Sequence, residues 1–185
     1  MDRFEDAILS FDREAAEIWK YSSHWSESLM NQQTSGEEWS RRVRLLDHTE
    51  VALLAKNALE IHDLMLSYDV NEPSDQLTAD GLDVVFAEWL QDRVPQKTAD
   101  SKLIAVLGIT FGNYLCDRLS MQWVEVTDDA GTTYAVRHET AEVYCFPLEA
   151  VKKRVISAEI GFFSEIETAI RGEIAASSTK QRTWG

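Results

Sequence analysis

Residues that interrupt or cross-link a fold are scarce in this sequence, which has three prolines, eight glycines and two cysteines among 185 residues. Disordered and collagen-like chains contain far more proline and glycine, and small disulfide-stapled scaffolds contain far more cysteine. No apolar run reaches the length of about 18 residues that a membrane-spanning helix requires. Because 44% of the residues are hydrophobic, we expect a soluble globular protein with a substantial core.

The two cysteines and the first residues bear on the compartment of the protein. Cys116 and Cys145 fall in apolar segments, where buried free thiols are common, so no disulfide is expected. The start, Met1 to Asp6, is charged and acidic, whereas a secretory signal peptide begins with a basic region and an apolar run. We therefore expect a cytoplasmic protein.

Basic residues are missing from one long segment. Between Lys56 and Arg93 there is no lysine or arginine, and the net charge of the whole chain is −14. The acidic residues of this segment are Glu60, Asp63, Asp69, Glu72, Asp75, Asp80, Asp83, Glu88 and Asp92. Their field would repel nucleic acid and acidic membranes and attract a basic protein. The acidic residues could equally form a solvated face that keeps the protein soluble.

The segment around which the rest of the chain is arranged begins with a helix marked by two glycines. The run from Leu103 to Leu115 is largely apolar and predicts a buried helix. A glycine costs a helix about 1 kcal/mol relative to alanine, so Gly108 and Gly112 need a compensating contact. Their spacing places both on one helical face, where another backbone can approach closely.

Three strands are predicted after this helix. The apolar period changes to two at Trp123, Asp128 to Gly131 supplies turn residues, and 133–138 returns as the second strand of a hairpin. Residues 141–146 form the third strand, and a helix begins at the following proline. The predicted fold class is α+β, with N-terminal helices packed against a small antiparallel three-stranded sheet in helix, hairpin, strand, helix order.

Helical periodicity dominates the rest of the chain. Amphipathic helices are predicted for residues 4–22, 35–67, 78–92 and 148–170. The second starts at a capping box formed by Ser35 and Glu38, Thr78 is the predicted cap of the third, and Gly161 is expected to bend or break the last. We expect the helical residues 1–95 to be integral to one globule with an α+β core of residues 96–176. A frayed tail is expected at residues 177–185.

The central segment resembles a known family. The run 107–112, followed by Trp123, the turn containing Asp129 and Gly131, and the motif 146–148 with the basic residues 153–154 behind it, is similar to the uncharacterised bacterial family "domain of unknown function 3806". This resemblance covers about residues 100–160. It implies a small α+β domain of bacterial origin and implies no activity.

The charge distribution gives the leading functional hypothesis. It predicts a non-catalytic acidic protein-binding module, and the most concrete example is a bacterial immunity protein that neutralises a basic protein such as a toxin. The predicted docking residues lie in the acid-only segment, where the field steers the partner and a few buried anchors fix it. They are Asp69, Glu72, Asp75, Asp80 and Asp83. No nucleic-acid or membrane partner is predicted, and the oligomeric state is left open.

Two alternatives remain at this point. A small-ligand pocket between the sheet and the central helix would be signalled by Gly108, Gly112, Trp123 and Tyr134. A thiol enzyme would need Cys145 paired with His138 on the facing strand, but the sequence around Cys145 shows no nucleophile elbow, oxyanion loop or activating helix N-terminus.

No metal or other cofactor is predicted. His48 and His62 fall on the predicted helix 35–67, but they lack the additional ligands at short spacing that a metal centre requires. The pattern favours ordinary, partly buried histidines.

Overall fold

The computed structural model describes residues 42–70, 77–93, 98–128 and 131–182. These residues belong to one compact unit, Arg41–Gly185. The predicted helix 4–22, the capping box at Ser35, and the acidic residues Glu72 and Asp75 lie outside the described residues.

An antiparallel sheet forms one layer of the fold. Its strands are β1 (Arg42–Leu45), β2 (Met121–Asp128), β3 (Gly131–His138) and β4 (Tyr144–Cys145), in the spatial order β1-β2-β3-β4. In the β2–β3 hairpin the register runs from Met121 opposite His138 to Asp128 opposite Gly131. Gly131 has a φ of 133°, a backbone angle that residues with a side chain rarely adopt but that glycine adopts without strain.

The described sheet has four strands, so the prediction of three was too few. The additional strand β1 lies within the segment 35–67 that was predicted to be helical. Its Arg44 contacts Glu125 of β2 at 3.1 Å and Glu50 of the following helix at 2.8 Å. Four residues of alternating polarity carry too weak a local signal to reveal a strand, and β1 is stabilised by pairing with β2, which is distant in sequence.

The predicted helix 35–67 also differs from the structure after β1, where two short helices take the place of one. Helix α1 is His48–Ala58 and α2 is Ile61–Ser67. Asp47 starts α1, because its side chain accepts the amides of Thr49 and Glu50 and completes a capping box. The capping signal that organises the described helix is therefore at Asp47.

The described fold has four further helices, three of which contact one another through aromatic side chains. They are α3 (Ala79–Gln91), α4 (Asp100–Leu119), α5 (Pro147–Ser157) and α6 (Phe162–Arg182). Phe86 of α3 lies edge-on to Phe162 with ring centroids 5.2 Å apart, and Phe111 of α4 lies edge-on to Phe163 at 4.9 Å. All four rings are fully buried, so the start of α6 is fixed against both α3 and α4.

The last helix continues into the segment for which a frayed tail was predicted. Helix α6 ends at Arg182, and most of its residues after Ile170 are exposed. None of the helices in the described residues is long and apolar enough to cross a lipid bilayer.

Candidate functional site

Helix α3 has one buried face and one exposed face. Thr78 caps it by accepting the amide of Gly81 at 3.0 Å. Its buried residues are Ala79, Gly81, Leu82, Val85, Phe86 and Trp89. On the other side Asp80, Val84 and Glu88 are exposed and follow one another at four-residue steps, so they form a single row along the helix. We call this row the α3 stripe.

The α3 stripe places an apolar side chain between two carboxylates. Val84 is 49% exposed. The side-chain carboxylates of Asp80 and Glu88 make no hydrogen bond and no ion pair in the described part of the chain. The two carboxylates are therefore available to a partner, with an exposed methyl-bearing surface between them.

Other acidic residues of the same segment have partners inside the fold. Glu60 binds Lys102 at 2.6 Å. Asp92 accepts a hydrogen bond from the Tyr68 hydroxyl at 3.1 Å, and burial together with this carboxylate raises the pKa of Tyr68 to about 12. The acid-only segment is thus divided between structural carboxylates and exposed ones.

Asp83 belongs to the structural group. One of its carboxylate oxygens accepts the amide of Phe163 at 2.9 Å, and the other accepts the amide of Ser164 at 3.0 Å and the Ser164 hydroxyl. A carboxylate from α3 therefore caps the N-terminus of α6, where unpaired amides and the helix dipole favour negative charge. Of the other predicted docking residues, Asp69 is exposed and has a φ of 55°.

Three of the four residues of the alternative ligand pocket, Gly108, Gly112 and Trp123, occupy a tightly packed region. A Cβ on Gly108 would lie 2.9 Å from Cα of Leu148, and a Cβ on Gly112 would overlap the Trp123 ring. Trp123 is 4% exposed and donates its indole N–H to Asn113 Oδ1 at 2.9 Å. Leu148 and Trp123 therefore fill the space that the two glycines leave.

Tyr134 lies farther along the same face of the hairpin. It is opposite Glu125, whereas Trp123 is opposite Val136. Tyr134 is half-buried, and this burial raises the pKa of its hydroxyl.

A small cleft lies on the opposite face of the sheet. It is lined by Leu45, Gln122, Val124, Arg137 and Glu139 and has a volume of about 50 Å³. Pockets that hold metabolites measure roughly 300 to 1,000 Å³. This cleft has room for ordered water only.

Cys145 is buried, Cys116 is partly buried, and the pKa of each thiol is raised. Burial raises the pKa of Cys145 to about 12, and burial with the neighbouring Asp117 raises the pKa of Cys116 to about 12. Nδ1 of His138 accepts the amide of Ala141 at 3.1 Å. Within the described residues no hydrogen bond joins His138 to Cys145, so this histidine does not activate that thiol.

The native protein should therefore react very slowly with thiol reagents. At pH 8 a pKa of about 12 leaves roughly one thiol in ten thousand ionised, and only the thiolate is nucleophilic. With an aromatic disulfide reagent we expect no rapid release of the chromophore from the native protein and two equivalents after unfolding in guanidinium, since the chain has two cysteines. Rapid labelling of Cys145 in the native state would contradict this arrangement.

The histidines considered for metal binding are both exposed, which corrects the expectation of partial burial. His48 begins α1 and His62 lies in α2, so the break between these helices separates them. Among the described residues there is no group of three or more side chains that could hold a metal ion.

Sequence reasoning missed two features of this site. Val84 was not among the predicted contact residues, although the row of Asp80, Val84 and Glu88 is readable from helical spacing. The capping role of Asp83 has no local signal, because its partners are about 80 residues away.

The fold and the site define a small α+β protein with an exposed acidic and apolar helix face. Residues 83–162 match the family described as Domain of unknown function (DUF3806), which confirms the resemblance seen in the sequence. The matched range begins in α3 and ends at the first residue of α6. No curated protein and no solved structure matches this sequence.

Proposed function

We propose that this chain is a non-catalytic acidic protein-binding module, most concretely a bacterial, cytoplasmic immunity-type inhibitor that neutralises a basic protein such as a toxin. The observation that carries the proposal is the α3 stripe, in which the exposed Asp80 and Glu88 have no partner in the described chain and flank the exposed Val84. The net charge of −14 adds a long-range field that attracts a basic protein.

Two further observations support protein binding over the two alternatives, a thiol enzyme and a small-ligand pocket. The pKa of each thiol that an enzyme of this chain would use is raised to about 12. The glycine-marked region, which was the alternative ligand pocket, is filled by Leu148 and Trp123.

Affinity capture from a lysate of the source organism tests the proposal. Three forms of the tagged protein are compared: wild type, Asp80→Asn/Glu88→Gln, and Glu165→Gln/Glu173→Gln. The last pair is the matched control, because these two exposed carboxylates have the same eight-residue spacing on α6. Each variant removes two negative charges, and all four substituted residues are exposed.

We expect wild type and the α6 control to retain the same basic protein at low salt and to release it at high salt. The Asp80→Asn/Glu88→Gln form should retain much less of it, because two of the steering charges are absent. Equal retention by all three forms would contradict a role for α3 in binding. A retained protein that is not basic would contradict the proposed partner class.

A further inference from the structure

The exposed face of helix α3 indicates which kind of surface on a basic partner would contact it. The α3 stripe is a row at four-residue steps, and such rows are the ridges by which helices pack into one another's grooves. It extends over two turns, about 12 Å at 1.5 Å per residue. The exposed Val84 lies at its middle and a carboxylate lies one turn away on each side.

The charges select the occupant of this ridge. A second copy of the chain would bring another net charge of −14. Its segment 57–92 contains no lysine or arginine that could form an ion pair with Asp80 or Glu88. Arginine forms paired hydrogen bonds with carboxylates, so a partner with a basic residue at each end of its contact fits both carboxylates. Between them the partner needs an apolar side chain to cover Val84.

A helix satisfies these requirements better than an extended peptide does. An extended segment gains affinity by pairing its backbone with a sheet edge, and an exposed helix face has no free backbone groups to offer. A helix has already satisfied its own backbone and can present side chains at the same four-residue steps.

We propose, as a deepening of the proposed function and resting on it, that α3 docks a basic amphipathic helix of the partner. The contacting face of that helix has arginine or lysine one turn before and one turn after a central aliphatic residue. The aliphatic residue packs on Val84, and the two basic residues bind Asp80 and Glu88.

A pair of synthetic peptides tests this proposal. The probe is an alanine-rich, end-capped helical peptide with arginine, leucine and arginine at successive four-residue steps. The control peptide has the same composition, with the leucine moved to the opposite side of the helix. Binding to the ¹⁵N-labelled full chain is followed by backbone amide shifts, with wild type, Val84→Ser and Ile156→Ser compared. Ile156 is the matched control, since it is an aliphatic residue 63% exposed on α5.

We expect shifts confined to the amides of α3 and a Kd for the probe about tenfold lower than that for the control peptide. Val84→Ser should weaken binding of the probe about tenfold, because serine removes the apolar surface that the leucine of the probe covers. Ile156→Ser should change it less than twofold. Both substitutions lie at exposed positions, and circular dichroism of each variant checks that the fold is retained.

The outcomes separate this proposal from the proposed function. Equal Kd values for wild type and Val84→Ser, shifts outside α3, or no binding of the probe would overturn helix docking. The charge-dependent capture of a basic protein could still hold in each of those cases. Loss of charge-dependent capture would remove the proposed function itself, and this proposal with it.

Discussion

Replacing Gly112 by alanine is expected to lower the free energy of unfolding by about 2 kcal/mol, one of the two largest effects that the structure predicts. The new Cβ would overlap the Trp123 ring, which is buried and held by its hydrogen bond to Asn113. An overpacked core costs about 1 to 3 kcal/mol, and a rigid indole has little freedom to move away. The helix gains about 1 kcal/mol from alanine, which offsets only part of this cost.

Denaturant unfolding of Gly112→Ala against wild type measures this effect, and Gly172→Ala is the matched control. Gly172 lies in α6 with nothing within 4 Å of its added Cβ, so alanine there should raise stability by about 0.5 to 1 kcal/mol. Trp123→Phe removes the ring atoms nearest the added methyl group. It should therefore lower the free energy of unfolding by less in the Gly112→Ala background than in wild type. An unchanged stability of Gly112→Ala would show that Trp123 does not pack against Gly112 as described.

Replacing Asp83 by alanine is expected to lower the free energy of unfolding by about 2 kcal/mol. The amides of Phe163 and Ser164 would lose their acceptor at the start of α6. Loss of a helix cap costs about 0.5 to 2 kcal/mol, and the favourable interaction of the carboxylate with the helix dipole is lost as well. The aromatic cluster around Phe162 and Phe163 begins at the same residues, so fraying there would also loosen the core.

Thermal and denaturant unfolding check this prediction, with Asp80→Ala as the comparison. Asp80 is three residues away in the same helix, is exposed, and has no partner in the described chain. Its replacement should change stability by no more than about 0.5 kcal/mol. Amide hydrogen exchange should accelerate at Phe163 and Ser164 in the Asp83→Ala protein alone. Equal effects of the two substitutions would contradict the capping role of Asp83.

Local sequence signals were sufficient for several elements of the fold. Thr78 was predicted as the cap of α3, and it caps that helix. The change of apolar period at Trp123 and the turn residues before Gly131 predicted the hairpin. Pro147 was predicted at the start of a helix, where its missing N–H has no consequence. In each case the residues that determine the structure are near neighbours along the chain.

Elements that depend on distant contacts were not predictable in this way. Strand β1 is four residues long and exists as a strand because it pairs with β2, about 80 residues later. The two glycines of α4 predicted a close approach, but their spacing could not name Leu148 and Trp123 as the residues that approach.

The candidate site shows the same limit. The absence of lysine and arginine between Lys56 and Arg93 identified the acidic segment from composition alone. Composition could not tell that Asp83 caps α6 whereas Asp80 is exposed, because this difference depends on how α3 lies against α6. The helical row through Val84 could have been read from the sequence, but its exposure required the packing of α3.

The most direct test of the account is the association rate of the captured basic protein with wild type, Asp80→Asn/Glu88→Gln and Glu165→Gln/Glu173→Gln as ionic strength is raised. The account predicts that the α3 variant associates about threefold to tenfold more slowly at low salt and shows a weaker salt dependence. The α6 control should stay closer to wild type, because its two carboxylates are not part of the α3 stripe. Identical rates and salt dependence for the α3 variant and wild type would contradict the claim that α3 docks a basic partner.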